Sequence, residues 1–126
     1  LEAISAAAVR KITDFSQQNL SNIAWAFATL GIVDVPLMAA IAAAALPTIS
    51  DWSSQGLANT AWAFATLDLL NGPLINAIAA ASIAKITEFR PQELSSLAWA
   101  FSSLGLFNSP LLKAISAAAL AKMSEF

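Results

Sequence analysis

The side chains that could do chemistry are few, and their spacing is regular. Carboxylates recur as Asp14, Asp51, Glu88 and Glu125 at a step of 37 residues, and lysines stand three positions ahead at Lys11, Lys85 and Lys122, with Thr48 in the remaining place. A carboxylate row invites a metal-binding or acid/base reading. Carried one per helix row, however, such groups lie ~10 Å apart, too far to share a metal or to act as an acid/base pair. A lysine one helical turn before a carboxylate is instead a solvated pair of small energetic weight. The chain has no histidine, cysteine or tyrosine, which removes thiolate zinc sites, disulfides and the usual bases and nucleophiles. No phosphate-binding glycine loop or nucleophile elbow is present. The glycosylation triplet Asn19-Leu20-Ser21 falls within a helical pattern and is discounted. These residues predict a protein that is not an enzyme and uses no metal and no cofactor.

The second set of polar groups is amides, hydroxyls and indoles. On a helix wound at 100° per residue, Gln18, Ser21, Asn22, Trp25 and Thr29 share one side. The same face is Gln55, Ala58, Asn59, Trp62 and Thr66 in a second copy, and Gln92, Ser95, Ser96, Trp99 and Ser103 in a third. Such a row could stack and hydrogen-bond successive bases of a single strand. The alternative is that each indole wedges between adjacent repeats, as large aromatics do in helical arrays.

The elements that must position these groups follow from the period. Trp25, Trp62 and Trp99 lie 37 residues apart, as do Pro36, Pro73 and Pro110, the leucines 20, 57 and 94, and Ile4, Ile41, Ile78 and Ile115. The aromatics Phe15, Trp52, Phe89 and Phe126 keep the same step. A fixed period of this size signals a repeat architecture. Within a unit, Leu20, Ile23, Ala24, Phe27 and Leu30 have helical spacing, and Gly31, Asp68 or Gly105 stops the segment, here termed helix A. Each proline then opens an alanine-rich helix B, such as the run from Pro73 to Phe89. No run alternates like a strand. Neither helix buries its stripe alone, so the prediction is an all-α fold, an α-solenoid of helical hairpins with a 37-residue repeat. Residues 1–15 form a partial unit with helix B only, and 16–52, 53–89 and 90–126 form full units. With no polar capping unit in view, the chain reads as a segment of a longer array.

Composition bounds the partners. Apolar residues reach 58% against 11% charged, so the chain has too little charge to coat its own surface. Some of that surface is expected to be covered. Acidic residues outnumber basic ones, eight to six, the reverse of a protein that holds nucleic acid by phosphate neutralisation alone. The apolar stretches are broken by Gly31, Asp34, Pro36 and Pro47. Helices of ~15 residues rise only ~22 Å, against a ~30 Å hydrocarbon core, so membrane spanning is disfavoured while peripheral membrane association stays open.

Helix B offers a second surface. Once Ile41, Ala45 and Ile49 take the inner side, Ala40, Ala43 and Ala44 remain outside, with Ala77, Ala80 and Ala81, then Ala114, Ala117 and Ala118 as equivalents. Alanine there is either a good helix former that lets neighbours approach, or a flat strip that docks on a partner.

The run Ser21-Asn-Ile-Ala-Trp-Ala-Phe-Ala-Thr-Leu-Gly31, its copies over 58–67 and 95–105, and the Pro-Leu helix that follows resemble octotricopeptide-type repeats, a pentatricopeptide-like helical family of algal organelles. The resemblance implies an array lying along single-stranded organellar RNA, with base-facing positions Asn19, Ser21 and Asn22, then Gly56, Ala58 and Asn59, then Glu93, Ser95 and Ser96. It also implies an organelle, the chloroplast ahead of the mitochondrion. Two functions follow: RNA binding for post-transcriptional gene expression through helix A, or a scaffold subunit docked on a large organellar assembly, a photosystem or a ribosome, through the alanine strip.

Overall fold

The computed structural model describes residues 2–124. Among them it has seven α-helices and no strand: α1 (Glu2–Lys11), α2 (Gln17–Leu30), α3 (Val35–Ala45), α4 (Ser54–Thr66), α5 (Gly72–Ala84), α6 (Pro91–Ser103) and α7 (Ser109–Met123). The expected all-α class is what forms. No helix is long and apolar enough to cross a membrane among these residues.

Local chemistry sets each boundary. The Ser16 and Ser53 side chains cap α2 and α4 by accepting from the Asn19 and Gly56 amides, both at 3.1 Å. Arg90, in the equivalent place, has no such oxygen. There the Glu93 carboxylate reaches back to accept from the Arg90 amide at 2.9 Å. The other ends close through a left-handed residue: Gly31 at φ 69°, Gly105 at φ 71° and, without glycine, Asp68 at φ 55°. Behind them Ile32, Leu69 and Leu106 donate to the carbonyls of Phe27, Phe64 and Phe101 at 2.8–2.9 Å, the double-bonded helix stop of the Schellman type. Helices α3, α5 and α7 open alike. Asp34, Asn71 and Asn108 accept from the amides of Leu37, Leu74 and Leu111 at 3.0–3.1 Å, with proline in the first turn.

Helix B is shorter than expected. Helix α5 stops at Ala84 and the chain passes through a 3₁₀ turn, Ile86–Glu88, before Phe89; α3 gives way similarly to Leu46–Asp51. The tightening turns the aromatic inward, so that Trp52 and Phe89 are 1% and 0% exposed. It also ends the supposed lysine–carboxylate pairing. Lys85 Nζ instead donates to the carbonyls of Ser50 and Trp52 at 3.0 and 2.6 Å, and Lys122 Nζ donates to that of Thr87 at 3.3 Å. Thr48, the exception in the lysine column, accepts from Trp52 Nε1 at 3.0 Å. Glu125 and Phe126 lie outside the described residues.

The helices form two rows. Helix α4 packs broadly between α2 and α6, while α1, α3, α5 and α7 lie in sequence on the other side. The core runs continuously between the rows through Leu37, Ile41, Leu57, Phe64, Leu74, Ile78, Leu97 and Leu111. Ile41 and Ile78 are wholly buried, and the Ile4 of α1 is exposed.

Candidate nucleic-acid interface

The first turns of α2, α4 and α6 lie side by side because those helices pack side by side. A polar cavity of about 360 Å³ opens between α2 and α4, lined by Gln17, Gln18, Ser21, Asn22, Ser53, Gln55, Gly56 and Asn59. A second, of about 210 Å³, opens between α4 and α6 and is lined by Gln55, Ala58, Asn59, Arg90, Gln92, Glu93 and Ser96. Gln55 and Asn59 line both, so the two form one trough that crosses α4. Amides dominate its walls. The positive ends of three helix dipoles face it, which favours an anionic ligand even in an acidic chain.

One close approach fixes the α2–α4 half of the trough. The Gln17 side chain of α2 crosses to accept from the Ser53 amide at 2.9 Å, tying two helix starts together. Gly56 makes room for it: a Cβ there would meet Gln17 Oε1 and Ser53 Oγ at 3.3 Å.

Several expected base-facing residues are therefore occupied elsewhere. Gly56 is a packing position, and Ala58 is 1% exposed and forms floor. Ser21 is buried and donates to the Gln18 carbonyl at 3.3 Å. Asn19 Oδ1 accepts from the Ser16 amide and hydroxyl at 3.1 and 2.9 Å. Glu93, 8% exposed, is spent on the Arg90 amide. Ser95 turns from the trough into an apolar groove with Pro91, Leu94 and Ala98. What remains open along the trough is Gln18, Asn22, Gln55, Asn59, Gln92 and Ser96.

One helical turn beyond lie the indoles. Trp25 and Trp99 are each 47% exposed, and Trp62 is partly buried against the core. The Trp62 and Trp99 rings sit 6.5 Å apart, tilted by 35°. Neither exposed indole is wedged inside the core; Trp52 and Phe89 fill that place.

The alanine strip is narrower than expected. Ala43, Ala80 and Ala117 are exposed and Ala40, Ala77 and Ala114 half-buried, but Ala81 and Ala118 are 6% and 7% exposed and Ala44 packs against the core. That third column faces inward because the α3–α5–α7 row approaches closely there.

Two features escaped the sequence reading. Arg90 brings a cation to the trough; its signal was a basic residue in the column otherwise held by Ser16 and Ser53. Gln17 had none, because Ser54 and Pro91 occupy its column and do not repeat it.

A model of the RNA-editing substrate-binding complex 6 protein family matches the chain over residues 1–126. The chain belongs to that family. A comparison with curated proteins returns no match. The family is one of RNA-editing complex components, which agrees with the expected RNA connection and helical build at that level and is compatible with an RNA-binding or a scaffold role.

Proposed function

We propose that the chain is a non-enzymatic binding array, an α-solenoid of octotricopeptide-like hairpins repeating every 37 residues, that holds single-stranded RNA along the α2–α4–α6 trough. The observation that carries this reading is the continuity of the amide-lined trough across α4, one turn from the indole row. Unpaired bases offer π-faces to indoles and Watson–Crick edges to amides, which a duplex hides. The family's description, a complex that binds substrates of RNA editing, supports RNA over other polymers. An organellar setting, the chloroplast ahead of the mitochondrion, rests on the octotricopeptide resemblance.

The contact is expected to be amide- and stacking-led, with few phosphates neutralised. Arg90 is the cation among the trough-lining residues, so log K should fall against log salt with a slope of about −1, shallow for a nucleic-acid binder. Polarisation of a labelled single-stranded RNA, run from low to moderate salt, tests this. Absence of binding at low salt, or equal affinity for duplex RNA, would end the proposal.

A second reading has its own observation. Val33, Leu70 and Phe107 sit at the turns between rows, 37 residues apart, exposed by 55%, 59% and 82%, and each precedes a helix that carries an exposed alanine, Ala43, Ala80 or Ala117. Such an apolar edge fits a scaffold subunit seated on a large assembly, a photosystem, a ribosome or an editing complex. Replacing all three by serine would then abolish co-purification with that assembly while leaving RNA affinity unchanged.

A further inference from the structure

The groove between α6 and α7 is apolar, about 290 Å³ in volume, and lined by Leu94, Ala98, Ile115, Ala119 and Met123 among others. Set back by 37 residues, its lining becomes Leu57, Ala61, Ile78 and Ser82 on α4 and α5. Those four are 0% exposed, because α6 packs over α4 and α7 over α5. In the groove itself, Leu94 and Ile115 are 4% and 9% exposed, Ala98 and Ala119 are only partly buried, and Met123 is 66% exposed. The same columns are fully covered once and partly open once.

We infer that this groove receives a partner helical hairpin of the α6–α7 kind, led by an amphipathic helix that presents a Leu97- and Phe101-like face. The interface it would form continues the one already made between α4–α5 and α6–α7. The contact would be aliphatic and aromatic, with no charge required, since Leu97 and Phe101 are 0% and 2% exposed on α6, the helix that packs on α4. A second set of the described helices, α1–α7 stacked head to tail, does not satisfy it. Ile4, Ile41, Ile78 and Ile115 mark α1, α3, α5 and α7 as one helix type, against α2, α4 and α6 of the other. Ordered end to end, the α1 of the next copy would follow α7 directly and leave the place beyond α6 empty.

The inference rests on the stacking proposed above and not on RNA, since the trough is complete without the added hairpin. A chain carrying an appended second copy of residues 90–126 tests it. Its melting temperature should rise by about 5 °C, and amide exchange in α6 and α7 should slow. Ala119→Arg in the receiving groove should erase both changes while leaving the unextended chain folded. A fluorescein-labelled peptide of residues 90–126, added in trans to the unextended chain, should bind saturably and lose at least about tenfold with Ala98→Arg. No thermal gain together with no peptide binding would overturn the inference. So would sedimentation showing that the unextended chain dimerises and that Ala119→Arg dissociates it, which would give the groove to a second copy.

Discussion

Trp52 and Trp62 belong to the same part of the chain, and each is one member of an aromatic column repeating every 37 residues, yet they do different work. Trp52 is 1% exposed, its indole nitrogen is satisfied by Thr48, and with Phe89 it fills the seam where a 3₁₀ turn enters the next helix. Trp62 is partly open, tilted against Trp99, with Trp25 along the same face. Burial with a satisfied donor marks a residue that holds the fold. Partial exposure of a large apolar ring, reaching 47% at Trp25 and Trp99 in the same column, marks a row held ready for something else.

The largest expected effect breaks the first column. Trp52→Ala should cost about 3–5 kcal/mol in chemical denaturation, from the lost burial, whereas Trp99→Ala, with nearly half of its surface already open to solvent, should cost about 2 kcal/mol or less. Equal costs would erase the distinction. The converse holds for binding: Trp99→Ala should weaken single-stranded RNA by about tenfold in polarisation, near the stacking contribution of one base.

Two smaller changes sharpen the fold side. Thr60 is 0% exposed with no partner for its hydroxyl, in a column where Ile23 and Leu97 are aliphatic. Thr60→Val should therefore stabilise the chain by about 1 kcal/mol in the same denaturation assay, by removing an unpaid desolvation. Asp34 caps α3, and its carboxyl is held below the usual carboxylate range, first by the Ser5 hydroxyl and then by the Leu37 amide. A depressed pKa means that the contribution is present above the unfolded pKa and is lost as pH falls through the folded one. Melting followed into acid should show that loss, and Asp34→Asn, which matches Asn71 and Asn108, should flatten it.

The helical class and the helix starts and stops were legible because their causes are local: prolines in the first turn, Gly31 and Gly105 in the left-handed region, and apolar spacing. Asp68 was legible only by alignment with those glycines. The 3₁₀ endings were not, since nothing local in Ile86-Thr-Glu88 separates a tightened turn from a continuing helix. The trough was half legible. Gln18, Asn22, Gln55 and Gln92 could be placed on a face by angle alone, whereas the diversion of Asn19 and Glu93 into caps and the crossing of Gln17 to Ser53 depend on what lies beside each helix. The third alanine column failed for the same reason: Ala81 and Ala118 are outward by helical angle and inward by the approach of the next helix.

RNA meets either the trough or the opposite row, and one affinity comparison decides which. Single-stranded RNA is titrated into the intact chain, into Gln55→Leu with Asn59→Leu across the trough, and into Ala43→Gln with Ala80→Gln and Ala117→Gln on the opposite row. Binding should fall by at least about tenfold in the first variant and hold in the second. Loss in the strip variant with the trough variant unaffected would contradict the trough assignment.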